Sequence, residues 1–299
     1  MEEALGHFLP SARLGELPNS PEDIWPKARP GRAFLAVQRV DGQSSVTARF
    51  ATSPLQLLAP RSRGGTVWAC TSSLGGGLVA GDETFLRIEL SGGTRCVLGT
   101  QSSTKIYRNP EAKPCGHRTV AHLGRGAFLG LLPDPVQPFA QALYTQRQSF
   151  HLEEGASLVL VDWLTSGRAA RGERWAFTRV ETCNQVFLNG RQLLMDALRL
   201  DSEDGPLENP YRLGRFNCLA LLLVIGDSLR EAASRVLADV TAQPLRRHAT
   251  LYQSASPLEP GVIVRLAGES VMDVGRELRR HLALLGVLDE PEHPWVRKW

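Results

Sequence analysis

Alternation of apolar and polar side chains with a period of two dominates the middle of this chain. In Phe85–Leu90 the aliphatic side chains at positions 86, 88 and 90 point to one side, while Arg87 and Glu89 point to the other. This is the pattern of a half-buried strand. Similar alternating or β-branched runs predict further strands at Ala33–Val37, Val46–Phe50, Thr66–Thr71, Arg95–Gly99, Arg118–His122, Ala127–Leu131, Ala142–His151, Ser157–Leu164, Arg179–Leu188 and Val262–Leu266.

Turn residues between these runs predict how the strands are connected. Asp41-Gly42 suits the positive φ angles of a tight turn and predicts a hairpin between the first two strands. Ser91-Gly92-Gly93 predicts a second hairpin, which would pair residues 86–90 with residues 96–98. Because no clear amphipathic helix interrupts residues 66–187, the crossover helices of a parallel α/β fold are missing. We expect a mainly β scaffold, either a β-solenoid or a sandwich- or barrel-like fold.

The C-terminal third of the chain changes to a helical period. Ser228 and Glu231 have the spacing of a capping box, and apolar residues then recur on one face, so we expect a helix near 228–241. A second amphipathic helix is expected near 270–287. Its arginines, Arg276, Arg279 and Arg280, lie largely off the apolar face, which favours a solvated face over a partner-binding surface.

The two ends of the chain differ from its middle. Residues 1–30 carry five prolines among polar residues, and prolines at this density remove backbone donors and block helices. We expect a poorly ordered arm there. A single β-rich domain over residues 31–290 and a C-terminal tail at 291–299 would follow.

Composition excludes several classes of function. The 34 basic and 31 acidic residues are spread along the chain without a basic block, so nucleic acid is not the expected partner. The longest apolar run, Cys218–Ile225, is much shorter than the roughly 20 residues of a membrane-spanning helix. The five cysteines include no Cys-x-x-Cys and suit a reducing compartment. We therefore expect a soluble cytoplasmic protein.

Two motifs suggest enzyme chemistry at first sight. Gly75, Gly77 and Gly81 could bring backbone amides close to a phosphate, but a strand follows them where nucleotide-binding loops require a helix. Ser102 and Lys105 match the Ser-x-x-Lys of penicillin-recognising hydrolases, but the Ser-Asp-Asn and Lys-Thr-Gly partners are missing. A serine-type hydrolase using Ser102 and Lys105 is the less favoured alternative.

Metal-ligating side chains are the next candidates. Cys115 and His117 share one face of a strand and His122 lies on the other, so this trio favours a surface loop over a tight metal site. Asp82, Asp134, Asp162 and Glu173 each stand in apolar, proline-rich or glycine-rich surroundings. A buried carboxylate needs hydrogen bonds or a cation, and Asp134 between prolines and Glu173 between arginines fit such structural roles. Asp162 is harder to explain in this way.

Four separated blocks carry a family resemblance. They are Gly75–Asp82 (GGGLVAGD), Thr100–Arg108 (TQSSTKIYR), Leu132–Phe139 (LPDPVQPF) and Thr165–Trp175 (TSGRAARGERW). In order and spacing these blocks resemble the signature stretches of the urease accessory protein D family. The resemblance extends over about residues 31–226, and the C-terminal helices match only in general character.

The resemblance implies a β-rich scaffold for urease maturation, without catalytic turnover. Family members bind the accessory F protein, which recruits the nickel-carrying GTPase G, and together they dock on apo-urease. Nickel would be in transit through the interior, with no tightly bound cofactor. A generic β-rich adaptor is the alternative from another class.

The resemblance also assigns residues. Asp82 and Glu173 occupy family motif positions, and Asp162 stands where relatives often have Glu, so these three form the candidate nickel path. We expect the Thr/Gln/Ser/Lys run to line a polar interior. The remaining motif positions are Gly75, Gly76, Gly77, Gly81, Gln101, Thr104, Lys105, Tyr107, Pro133, Asp134, Pro138, Phe139, Gly167, Arg168 and Gly172.

Overall fold

The computed structural model describes residues 30–60, 65–113 and 115–287. The predicted tail, and the predicted arm apart from Pro30, lie outside these residues. The helices within them are α1 (Arg230–Thr241) and α2 (Val271–Leu284). The strands are β1 (Arg32–Val40), β2 (Gln43–Ala51), β3 (Leu55–Leu58), β4 (Val67–Ser73), β5 (Gly77–Leu78), β6 (Glu83–Leu90), β7 (Arg95–Thr100), β8 (Thr104–Ile106), β9 (Gly116–Leu123), β10 (Phe128–Leu132), β11 (Val136–Pro138), β12 (Leu143–Leu152), β13 (Ser157–Thr165), β14 (Arg179–Leu188), β15 (Arg191–Asp201), β16 (Cys218–Ile225), β17 (Leu251–Leu258) and β18 (Gly261–Gly268).

The strands stack as coils of a β-solenoid, which confirms the expected mainly β scaffold. In the described residues, β15-β14-β12-β9-β6-β1-β2 form a seven-stranded sheet. An eleven-stranded sheet contains β17-β18-β16-β13-β10-β7-β4-β3 together with β5, β8 and β11. Successive coils place β6, β9 and β12 side by side in one sheet and β7, β10 and β13 side by side in the other, all parallel. The solenoid therefore obtains parallel sheets without crossover helices.

The two predicted hairpins have opposite outcomes. The first is confirmed, since β1 and β2 pair antiparallel around Asp41 and Gly42, both of which have positive φ angles. The second is wrong, because β6 and β7 belong to different sheets. The Ser91–Gly93 turn carries the chain from one sheet to the other. A glycine turn fixes a change of direction, but the pairing of each strand depends on the neighbouring coil.

Apolar side chains fill the space between the sheets in two separate clusters. One cluster includes Ile88, Phe150 and Leu160, and the other includes Tyr144, Leu164 and Phe177. The region between these clusters holds the polar side chains described below.

Both predicted helices are present, and they cover the outer face of the eleven-stranded sheet with a third apolar cluster. The Ser270 side chain caps α2 by accepting from the amide of Met272 at 3.1 Å. The capping box predicted for α1 is wrong, because the Ser228 hydroxyl bonds that of Ser157 at 2.7 Å and a short 3-10 turn precedes the helix. Neither helix has the length and apolar character required to cross a bilayer, and this holds for all described residues.

Candidate functional site

Three short strands form a narrow ladder along one side of the solenoid, called here the motif ladder. β5 pairs with β8 through Gly77 and Lys105, and β8 pairs with β11 through Lys105 and Gln137. The side-chain Nε2 of Gln137 then donates to the backbone carbonyl of Gly167 at 3.3 Å. The four signature blocks, which are far apart in sequence, therefore lie on successive coils in contact with one another.

Two glycines of these blocks are required by close backbone contact. A Cβ on Gly77 would lie 2.3 Å from the carbonyl oxygen of Lys105. A Cβ on Gly167 would lie 2.6 Å from the carbonyl oxygen of Pro138, and this glycine has a φ of +105°. Glycine lets neighbouring coils approach this closely. The motif glycines thus serve chain packing rather than a phosphate cradle.

Aromatic and charged side chains are stacked along the motif ladder. The Tyr107 hydroxyl donates to the carbonyl of Gly75 at 2.9 Å, and its ring meets that of Phe139 edge-on at 5.4 Å. The guanidinium of Arg168 lies 4.3 Å from the centre of the Phe139 ring. Gly75, Tyr107, Phe139 and Arg168 come from four successive coils, so these contacts hold the four coils against one another.

Glu173 forms an ion pair with the arginine of this stack, Arg168. Its carboxylate accepts two hydrogen bonds from Arg168, one from Nε at 2.9 Å and one from Nη2, and a weaker one from the amide of Ala140 at 3.3 Å. The Arg168 hydrogen bonds are the main reason that the pKa of Glu173 is lowered. The arginine that neutralises Glu173 is therefore Arg168, five residues earlier, and not an immediate neighbour in sequence.

Asp82 lies in the turn that leads into β6. Its half-buried carboxylate accepts from the amide of Val79 at 2.9 Å, and its backbone carbonyl accepts from Gly116 at 2.9 Å. Burial, with a smaller contribution from Asp82, raises the pKa of the Cys115 thiol to about 12. Cys115 is therefore a protonated, poor metal ligand at neutral pH.

Asp162 occupies the interior between the two sheets. Its Oδ1 accepts from Nε2 of Gln146 at 2.8 Å, and its Oδ2 accepts from Nδ2 of Asn184 at 2.7 Å. Burial raises the pKa of Asp162, and the two amide hydrogen bonds oppose this effect. Gln148 donates to the Asn184 carbonyl oxygen at 2.9 Å, and Tyr144 donates to Gln146 at 3.2 Å. An internal carboxylate is thus held by neutral amides and not by a cation.

Hydroxyl and imidazole groups continue this polar region across the seven-stranded sheet. The Thr84 hydroxyl lies 2.8 Å from Nδ1 of His117, and the Thr119 hydroxyl lies 3.0 Å from Nε2. Burial lowers the pKa of His117 to about 4, so the imidazole is neutral at pH 7. Strand register places His117 beside Gln146, and Gln146 beside Thr182.

We call this set the polar band. It separates the two apolar clusters, since Asp162 follows Leu160 of one cluster and precedes Leu164 of the other along β13. At the far edge Asn184 is in register with Asp196, whose carboxylate pairs with Arg265 at 2.5 Å. The members of the polar band are Thr84, His117, Thr119, Gln146, Gln148, Asp162, Thr182 and Asn184.

Sequence reasoning singled out Asp162 but missed its partners. A signal was present in β12, where Gln146 and Gln148 occupy inward positions between Tyr144 and Phe150. Two amides at core positions of an otherwise alternating strand indicate a buried polar network. The opposing residue Asn184 lies 22 positions from Asp162, and only the coil register brings them together.

The three candidate acids lie in separate places: Asp82 in a turn, Asp162 inside, and Glu173 on the motif ladder. The described residues contain no group of three or more His, Cys, Asp or Glu side chains able to hold a metal, so Cys115, His117 and His122 form no site. Their strand register places His117 inward and His122 on the outer face.

The Thr/Gln/Ser/Lys run does not line the interior. Gln101, Ser102 and Lys105 are exposed, and Thr104 is half-buried. This follows from the shortness of β8, a three-residue strand on the solenoid surface. Lys105 therefore lies on a strand and not on the buried helix that a Ser-x-x-Lys nucleophile requires.

The other motif residues have local structural roles. Asp134 is buried and accepts from the Thr100 hydroxyl at 2.9 Å. The carbonyl of Pro133 accepts from the Trp163 indole at 2.9 Å. Positive φ angles at Gly75, Gly76, Gly81 and Gly172 shape the connecting turns.

Comparison with known proteins gives one consistent result. The family model described as UreD urease accessory protein matches residues 29–298. A urease accessory protein UreD of Sorangium cellulosum (strain So ce56) is 44% identical over 271 residues, covering 90% of this chain and 84% of the relative. A urease accessory protein D of Arabidopsis thaliana is 32% identical, covering 84% of this chain and 95% of the relative. A urease accessory protein D of Oryza sativa subsp. indica is 30% identical, covering 84% of this chain and 91% of the relative. This chain belongs to the UreD urease accessory protein family.

Proposed function

We propose that this protein is a non-catalytic scaffold that brings apo-urease together with the accessory F protein and the nickel-carrying GTPase G. Family membership supports a role in urease maturation. The motif ladder supports the scaffold role, because its signature residues are used for packing coils against one another. A scaffold of this kind would form binding surfaces without bond-making chemistry.

We further propose that nickel crosses the protein as cargo along the polar band. The observation that carries this proposal is the carboxylate of Asp162, held by Gln146 and Asn184 between two apolar clusters. Apart from the imidazole of His117, the polar band offers oxygen ligands of amides, hydroxyls and a single carboxylate, which bind a borderline ion such as Ni²⁺ less tightly than thiolates. A transit path needs binding that is favourable enough for entry and weak enough for release.

The three candidate acids contribute unequally in this proposal. Asp162 is the strongest, because it is central to the polar band. Asp82 leads into β6 two residues before Thr84, so it would stand at one end of the path. Glu173 is neutralised by Arg168, and a role in transit would require that ion pair to open.

The cellular setting is also part of the proposal. All five cysteines are free thiols, which suits a reducing cytoplasm. Nickel would be present only in transit, with no tightly held cofactor.

Reconstitution of urease tests the proposal. The wild-type protein, co-expressed with the F and G proteins and apo-urease of its own host, should co-elute with them and support nickel incorporation. Asp162→Asn should leave the complex intact and lower both urease activity and nickel content. A complex that forms and activates urease equally well with Asp162→Asn would contradict transit along the polar band and favour a generic adaptor. Failure of the wild type to co-elute with any of these proteins would overturn the scaffold role.

A further inference from the structure

The polar band ends in a pair of opposite charges at the C-terminal end of the solenoid. On β15, which forms the edge of the seven-stranded sheet, Asp196 is the register partner of Asn184. In the other sheet Asp162 is in register with Leu221, and Leu221 is in register with Arg265 on β18. Register partners on neighbouring strands project to the same side of a sheet. Asp196 and Arg265 therefore face the same space between the sheets as Asp162.

Apolar side chains flank this ion pair, as they flank the rest of the polar band. On β15, Asp196 lies between Leu194 and Leu198, which pack against the two different apolar clusters. On β18, Ile263 of the first cluster comes two residues before Arg265. The carboxylate of Asp196 accepts from Nη2 of Arg265 at 2.5 Å. The ion pair therefore occupies the place where the polar band passes between the apolar clusters to the surface.

The two members of the pair differ in their exposure to solvent. The side chain of Asp196 is 17% exposed and that of Arg265 is 54% exposed. Ser254, the register partner of Arg265 on the edge strand β17, is also exposed. Burial is the main reason that the pKa of Asp162 is raised, and the charge of Asp196 adds to this effect. Asp196 is thus the inner member of the pair, and Arg265 is the outer one.

We propose that the Asp196–Arg265 ion pair is a gate that closes the polar band to cations, and that a divalent cation passes when it replaces Arg265 at the carboxylate of Asp196. The inference rests on the proposed nickel transit and adds a controlling pair of residues to that path. An arginine in the mouth of a pore is an electrostatic barrier to cations. A carboxylate in the same place attracts them. Half-exposed ion pairs contribute little to stability, so this pair opens readily.

A purely structural ion pair is the rival explanation, and it predicts a different pattern. A structural pair is lost equally whichever partner is replaced. A gate is asymmetric, because Arg265→Gln leaves a free carboxylate at the mouth, whereas Asp196→Asn leaves a free guanidinium there. The two variants should therefore have the same effect on a neutral probe and opposite effects on a cation.

Thiol modification measures whether the pair closes the polar band. Thr182 is a buried member of the band, so Thr182→Cys in a Cys183→Ser background places a thiol behind the gate. Mass spectrometry would follow its reaction with methyl methanethiosulfonate, a small neutral reagent. Arg265→Gln and Asp196→Asn should each raise the rate at position 182 about fivefold, the factor that corresponds to one half-exposed ion pair. The charge-swapped variant Asp196→Arg/Arg265→Asp should restore the slow rate.

The matched control is Arg276→Gln, which removes an exposed arginine paired with Asp273 on α2. It should leave the thiol rate unchanged. Equal rates for Arg265→Gln and this control would overturn the gate. A charge-swapped variant that is folded by circular dichroism but reacts as fast as the single variants would do the same, because lost packing and not the lost pair would then open the band.

Nickel incorporation tests the exchange at Asp196. The initial rate of nickel incorporation into apo-urease would be measured in the reconstituted complex. Arg265→Gln should raise this rate about fivefold, and Asp196→Asn should lower it to a similar extent, although both variants admit the neutral reagent. Equal effects of the two variants on nickel would overturn the exchange and favour the structural pair.

Failure of the gate is distinguishable from failure of the proposed function. If Asp162→Asn incorporates nickel as fast as wild type, nickel transit is wrong and the exchange at Asp196 is wrong with it, even where the thiol rates respond. If Asp162→Asn lowers incorporation while Arg265→Gln changes neither the thiol rate nor the nickel rate, transit stands and only the gate is overturned.

Discussion

Asn184 on β14 donates a 2.7 Å hydrogen bond to Asp162 on β13, across the space between the two sheets. The same Asn184 accepts from Gln148 at 2.9 Å. One side chain therefore links the Asp162 carboxylate of the eleven-stranded sheet to the Gln148 side chain of the seven-stranded sheet. Asn184 itself is fully buried. The orientation of the Asp162 carboxylate therefore depends on a residue that carries no charge.

Replacement of Asn184 by leucine should destabilise the protein by about 2–4 kcal/mol, because two polar groups between the sheets, one half-buried and one buried, lose their partner. These are the Oδ2 of Asp162 and the Nε2 of Gln148. Urea denaturation followed by circular dichroism would measure the change. Gln185→Leu, one residue later on the outer face, is the control and should change stability by less than about 0.5 kcal/mol. Equal effects of the two substitutions would contradict the role given to Asn184.

His117 should make stability depend on pH. Its pKa in the folded protein is about 4, below the value near 6.5 expected in the unfolded chain. The unfolded chain therefore binds more protons between these values, so stability is full above pH 6.5 and is lost as the pH falls towards 4. His117→Gln should show a flatter profile than wild type when urea midpoints are compared at pH 7 and pH 5. Parallel profiles would indicate that His117 titrates normally.

Gly77 and Gly75 separate two reasons for glycine in the same motif. Gly77 has an extended φ of 175°, so its requirement is the 2.3 Å approach to the Lys105 carbonyl. Gly75 has a φ of +81°, and a Cβ added to it would meet no atom within 4 Å, so its requirement is conformational alone. Gly77→Ala should cost about 3 kcal/mol or more, and Gly75→Ala about 1 kcal/mol. Equal losses in urea denaturation would mean that coil contact is not the constraint at Gly77.

Many of the strands could be predicted from the sequence because alternation is a local property, but the long strands β15, β16 and β17 were missed. Each predicted segment, such as Phe85–Leu90, overlaps an observed strand. The pairing of the strands could not be predicted from the sequence, since it depends on coil length and on the neighbouring coil. The Ser91–Gly93 turn illustrates this, because the same residues suit a hairpin and a passage between two sheets.

The candidate site was predictable only in part, for a related reason. Asp162 was recognisable as an acid within an apolar run. Its partners Gln146 and Asn184 were not, because they are brought to it by register across different strands. The Arg168–Glu173 ion pair likewise required the conformation of the 3-10 turn between them, whereas the sequence favoured the adjacent arginines.

Arg168 and Glu173 give a prediction that separates a structural role from a role in nickel transit. Arg168 lowers the pKa of Glu173, so the ion pair should contribute stability above the ordinary carboxyl pKa of about 4.5 and lose it as the pH falls through the lowered value. Glu173→Gln should therefore be less stable than wild type at pH 7, with the difference disappearing in acid. In the structural role, Arg168→Gln and Glu173→Gln should reduce urease activation to the same extent, because each breaks the same pair. Urease activity and nickel content per complex would be measured for both variants at equal complex recovery. A loss of nickel incorporation that is much larger for Glu173→Gln than for Arg168→Gln would instead identify the carboxylate itself as a nickel ligand.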